Sequence, residues 1–197
     1  MFLEAIAYSL ANLTKFTGRD SRSTFWWYIL FLLIVQFVIG LLASIPLVVG
    51  TTNAAIDAAQ SGMSEAQMEA QLFNKMADMV GVTTWISVIT SAIITLLALA
   101  SFVRRLHDGG FSELWAAIPL MTQAATIYFS ITMIDKAKDM LLTAGNAENT
   151  EALAAQMSAN PMSYIGWIGY LAVITFGMMR SEPTTNQYGE VPKAPGY

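Results

Sequence analysis

The sequence predicts an all-α integral membrane protein: a four-helix bundle of two helical hairpins, with an N-terminal interfacial helix and helical outer connections. Three observations carry that expectation. The 25 residues from Phe25 to Val49 hold no charge, enough at about 1.5 Å of rise per residue to cross a hydrocarbon layer of roughly 30 Å. The chain is 55% hydrophobic and 12% charged, whereas soluble domains carry about 25% charged residues. Uncharged runs recur at about 82–103, 114–134 and 162–179, and runs of this length mark bilayer spans.

Each element has its own signal. Phe2, Leu3, Ile6, Leu10 and Leu13 share one helical face, which predicts a short helix lying in the interface before a turn at Gly18. The first span, about 25–49, is too long for the roughly 7–15 apolar residues of a signal core and is expected to stay in the mature chain. In the connection 50–81, Ser64 followed by Gln67 reads as a capping box that opens a helix through Met68, Leu72, Met76 and Met79. The second span, 82–103, is joined by a short turn to the third, 114–134, which Lys136 to Leu142 should prolong. Asn149 or Thr150 would cap a further helix carrying Leu153, Ala154 and Met157. Pro161 and Arg180 bound the fourth span, 162–179. A membrane domain of residues 1–180 is thus followed by a tail, 181–197.

Basic residues beside spans are retained in the cytoplasm. Lys15, Arg19 and Arg22 precede the first span, Arg104 and Arg105 follow the second, and Arg180 and Lys193 lie in the tail: seven of the ten basic residues and every Arg. The connections 50–81 and 135–161 hold only Lys75, Lys136 and Lys138 against eight acids. Both termini are therefore expected inside.

The chemistry available is narrow. Cysteine is absent and His107 is the only histidine, so disulfides, iron–sulfur clusters, thiolate metal sites and bis-histidine haem are excluded. No metal, cofactor or nucleic acid is expected, and a catalytic role would fall to His107 with Asp108. No charge sits in the middle of any span, where coupled transporters usually need one. Ser87, Ser91 and Thr95, and again Thr122, Thr126 and Ser130, recur every fourth residue, while Ser163, Gly166, Gly169 and Ala172 recur every third. These stripes serve helix packing, or, with Gln36 and Gln123, line a narrow polar path.

The densest signals stand at the span boundaries. They are Gly18-Arg19-Asp20-Ser21-Arg22-Ser23-Thr24-Phe25-Trp26, then Arg104-Arg105-Leu106-His107-Asp108 with Ser112-Glu113-Leu114-Trp115, then Asn186-Gln187-Tyr188-Gly189. In these three separated motifs, in this order, the chain resembles the YhaH-like bacterial inner-membrane family, a domain of unknown function numbered 805. The resemblance implies a small four-helix inner-membrane protein without an agreed activity. Long outer connections, 50–81 and 135–161, depart from the family pattern.

Arg rather than Lys at 19, 22, 104, 105 and 180 offers planar forks of donors suited to carboxylate or phosphate. Arg19, Arg22, Arg104, Arg105, His107 and Asp108 are expected to converge on one cytoplasmic site. That site either fixes the hairpin turns and docks the tail through Asn186 and Tyr188, or holds an anionic lipid headgroup or a partner subunit. The reading is a non-enzymatic structural or accessory membrane protein whose partners are membrane lipids and other membrane protein subunits. The alternatives are a small channel or transporter using the Ser/Thr stripes, and a membrane enzyme acting on lipid headgroups.

Overall fold

The computed structural model of the chain describes residues 1–143 and 164–192. The helix expected from Asn149 or Thr150, the start of the fourth span at Met162 and Ser163, and Lys193 lie outside the described residues. The described elements are all helical: α1 (Phe2–Ala11), α2 (Arg22–Gln60), α3 (Glu65–Asp108), a single 3₁₀ turn (Glu113–Ala116), α4 (Ala117–Thr132), α5 (Ile134–Thr143) and α6 (Ile165–Met178).

α1 forms where the apolar periodicity places it, but it packs on a different face. Ala5, Ile6 and Ser9 are buried, while Leu3 is 76% and Leu10 41% exposed. Small residues four apart let the helix backbone approach its support closely, so the large leucines point outward. The chain then turns at Gly18, whose φ of +95° costs a glycine little.

One half of the capping box is present: Gln67 Oε1 accepts from the Ser64 backbone N–H at 3.0 Å and from the Ser64 hydroxyl at 3.2 Å. The helix it opens is not a separate excursion. α3 runs unbroken for 44 residues, and α2 continues past the expected end of its span to a length of 39. The stretch 54–59 is rich in alanine, the best helix former, and the hydroxyls of Thr51 and Thr83 are satisfied within the helices by the carbonyls of Leu47 and Met79 at 2.9 and 3.1 Å. The turn 61–64 between the two helices passes through Gly62, at φ +65°.

Three helical stretches, Arg22–Gln60, Glu65–Asp108 and Glu113–Thr132, are long and apolar enough to cross a membrane. Only 6% of the most apolar window of α2 is buried, leaving Leu33, Phe37 and Leu42 exposed. Such a run of large apolar side chains marks contact with lipid or with another protein. Where the fourth span is expected, α6 has 14 described residues and is shorter than these three.

The chain divides into two compact units. One comprises Met1–Phe37, Ser91–Ala125 and residues 165–192. Its core is Phe25, Phe102, Val103, Leu106 and Ala116, with Trp26, Phe111 and Phe176 packed against it. Phe176 meets the rings of Phe111 and Trp115 at 5.3 and 5.4 Å between centroids. α6 approaches α4 closely because residue 169 is glycine: a Cβ there would meet Pro119 Cα at 3.3 Å. The other unit contains Val38–Thr90 and residues 126–143. Here Ala54, Ala58 and Ala77 are buried, and Gly81 of α3 faces Ile134 of α5.

Candidate functional site

The last two turns of α3 bury polar groups that the end of a helix usually leaves to solvent. Residues 101–108 are all buried, and Ser101, Arg104, Arg105 and Asp108 recur at steps of three, one and three, one stripe of an α-helix. Arg19 is 6% exposed, Arg104 1%, and Arg105, Asp20 and Asp108 0%. Charges so buried persist only when paired and hydrogen-bonded.

The pairing is reciprocal. Asp20 accepts from Arg104 Nε at 2.8 Å through one oxygen and from the Ser101 hydroxyl at 2.8 Å through the other. Its own backbone N–H donates to the Arg104 carbonyl at 3.1 Å. Arg104 Nη1 reaches the carbonyls of Asn12 and Lys15 at 2.9 and 2.5 Å, tying the end of α1 to α3. Asp108 accepts from Arg19 Nε and Nη2 at 3.1 and 3.0 Å through one oxygen and from Arg105 Nη1 through the other.

Arg105 continues to the C-terminal end of α6. Its Nε donates to the Gly177 carbonyl at 3.2 Å and its Nη2 to the Met179 carbonyl, so a cation satisfies carbonyls at the negative end of a helix dipole. Trp26 Nε1 donates to the same Gly177 carbonyl at 3.2 Å.

The tail closes over this set. Arg19 Nη2 donates to the Glu182 carbonyl at 2.7 Å and Nη1 to the Thr184 carbonyl at 2.8 Å, while the Glu182 N–H donates to the Asp108 carbonyl at 2.9 Å. Asn186 Nδ2 donates to the His107 carbonyl at 2.9 Å, and Asn186 Oδ1 accepts from the Tyr188 N–H at 2.9 Å, an Asx turn that aims the ring. Tyr188 then stacks on His107, 3.8 Å between centroids and 3° from parallel. His107 Nδ1 lies 3.2 Å from the Gly18 carbonyl and Nε2 lies 3.4 Å from Glu113. The Glu113 carboxyl is held below the usual range, first by a hydrogen bond from its own backbone and then by His107.

The turn after α3 is a Schellman motif. The Phe111 N–H donates to the Leu106 carbonyl at 2.9 Å and the Gly110 N–H to the His107 carbonyl at 3.1 Å, with Gly110 at φ +78°.

Of the residues expected to converge, Arg19, Arg104, Arg105, His107 and Asp108 do so, joined by Asn186 and Tyr188. Arg22 is exposed and its side chain makes no hydrogen bond or ion pair among the described residues. It lines an open crevice with Ser23, Trp26, Trp27 and Met178. Ser101 and Glu182 belong to the network as well. Ser101 could have been found from its spacing to Arg104 and Arg105; Glu182 acts mainly through its backbone, which no side-chain pattern announces. His107 and Asp108, the candidate base and orienter, direct their side chains to different partners. Away from the network, Gln123 Nε2 donates to Ser91 Oγ at 3.0 Å, beside a cavity of about 160 Å³ lined mostly by apolar side chains together with Thr95, Thr122 and Gln123. The Thr122 hydroxyl donates back to the Ile118 and Pro119 carbonyls.

No curated protein and no solved structure matches the chain significantly. The three boundary motifs that build the network all fall within residues 13–190, which match the family model described as "Protein of unknown function (DUF805)", and the chain belongs to that family.

Proposed function

We propose that the chain is an integral inner-membrane protein with both termini in the cytoplasm, acting as a non-enzymatic structural or accessory component. The observation that carries this reading is the commitment of Arg19, Arg104 and Arg105 to acceptors of the protein itself. A cluster so buried is a lock that fixes the ends of the helices and seats the tail. The exposed apolar faces of the long helices supply the contact with lipid and neighbouring subunits.

Lipid recognition then falls to the exposed member. Arg22, beside Trp26 and Trp27, offers an unpaired guanidinium and aromatic faces, a combination suited to an anionic headgroup at the interface. Gentle extraction with native lipid followed by mass spectrometry tests this. Arg22→Ala should lose bound anionic lipid while keeping its melting temperature, and co-purification of a stoichiometric membrane partner would support the accessory role. Retention of the same lipid by Arg22→Ala would remove Arg22 from the reading.

A second reading, a small channel or transporter, draws on the cavity beside Gln123. The back-bonded Thr122 hydroxyl and the apolar lining favour packing there. Solute flux through purified protein in vesicles, abolished by Gln123→Leu, would promote transport over the structural role.

A further inference from the structure

The outer halves of α2 and α3 carry a polar crevice that the arginine lock does not involve. It has a volume of about 370 Å³, and Asn53, Asp57, Gln71, Asn74, Lys75 and Asp78 line it. Asp57 is the single charged residue of α2 beyond Arg22, and α3 has no charge between Asp78 and Arg104. Unlike charges are thus placed together at the end of two long apolar stretches.

They do not neutralise one another. Among the described residues, the side chains of Asn53, Asp57, Asn74, Lys75 and Asp78 make no hydrogen bond or ion pair with each other or with any neighbour. A second observation is independent of charge: the carboxamide oxygen of Gln71 is buried with no hydrogen-bond partner, an arrangement that is costly unless a donor is supplied. The Lys75 stem packs across Gly50, where a Cβ would meet Lys75 Cε at 3.0 Å.

We infer that this crevice binds a zwitterion carrying an ammonium and a phosphate a few ångströms apart. The ammonium meets Asp57 and Asp78, the phosphate meets Lys75, and the carboxamides of Asn53, Asn74 and Gln71 supply further polar contacts. The formal charges of the two Asp and one Lys sum to −1, which disfavours a simple anion. Two sources share this chemistry, a free phosphoethanolamine-type solute and a phosphatidylethanolamine headgroup. The lipid source alone rests on the membrane placement.

The test is titration calorimetry of the full chain in detergent with O-phosphoethanolamine, in parallel with recovery of phosphatidylethanolamine after mixing with vesicles of that lipid and gel filtration. Binding in either arm, reduced at least tenfold in both Lys75→Met and Asp78→Asn and unchanged in Glu65→Gln, supports the site. Binding in the first arm alone identifies a solute, and in the second alone a lipid. Circular dichroism and a monodisperse elution profile establish that the variants are folded. The proposal is overturned by no binding in either arm, by binding that both variants retain, or by ethylamine binding equally well without dependence on Lys75.

Discussion

Asp108 bears the heaviest demand of any side chain in the arginine network, because two guanidinium groups depend on its two oxygens. Asp108→Ala would leave Arg19 and Arg105 buried without their carboxylate, and removing one partner of a buried pair costs about 3–5 kcal/mol. The measurement is thermal or denaturant unfolding in detergent, with Arg22→Ala as the reference, which should shift stability by no more than about 0.5 kcal/mol because its side chain is exposed and unpaired. Arg105→Lys is expected to fall between them. Lysine keeps the charge but lacks the planar fork that reaches Asp108, Gly177 and Met179 together. Glu113 gives the pH dependence. Its folded pKa is depressed, so its contribution is present above the unfolded carboxyl pKa and is lost as pH falls through the lowered value. The melting-temperature difference between wild type and Glu113→Gln should therefore shrink on acidification below the ordinary carboxylate range. A difference that grew instead would contradict the assigned direction.

At the scale of elements, two helical glycines separate packing from propensity. A Cβ at Gly177 would sit 2.7 Å from Phe25 Cε1 and 2.9 Å from Trp26 Cζ2, whereas one at Gly40 would have nothing within 4 Å. Alanine gains about 1 kcal/mol over glycine in a helix interior, and forcing extra volume into a packed site costs about 1–3 kcal/mol. Gly177→Ala should thus be neutral to destabilising by up to about 2 kcal/mol, and Gly40→Ala stabilising by up to about 1 kcal/mol, both read from unfolding in detergent. The same contrast explains what the sequence made legible. Apolar runs, the Ser64 capping box and the Gly18 turn are local signals, and each appears where its residues place it. The unbroken lengths of α2 and α3 were not legible, because hydropathy marks where lipid would begin and end while helix propensity continues past that boundary. The Arg and Asp residues of the lock were visible as types, but their burial was not. Burial follows from the Asn12, Lys15, Gly177 and Met179 carbonyls, which meet the arginines of α3 only once the chain has folded.

For the whole molecule, the arrangement of charge sets the orientation to be tested. Seven basic residues, including every Arg, belong to the segments placed inside, and eight acids with three Lys to the connections placed outside. The lock adds a physical reason for the first three of these segments to share a side. Arg19, Arg104, Arg105 and the tail form one hydrogen-bonded body, so the start of α2, the end of α3 and the chain after α6 share one side of any bilayer. Absence of cysteine allows single introduced cysteines to read this without background, provided they stand at exposed positions, which excludes the buried Arg105. Lys15, Arg180 and Met63 are exposed. In intact cells an impermeant maleimide should label Met63→Cys, and Lys15→Cys and Arg180→Cys should react only after the membrane is opened. Labelling of Lys15→Cys and Arg180→Cys from outside with protection of Met63→Cys would reverse the orientation but keep the lock. Opposite labelling of Lys15→Cys and Arg180→Cys would break it, because two segments held by one buried aspartate–arginine network cannot lie on different sides.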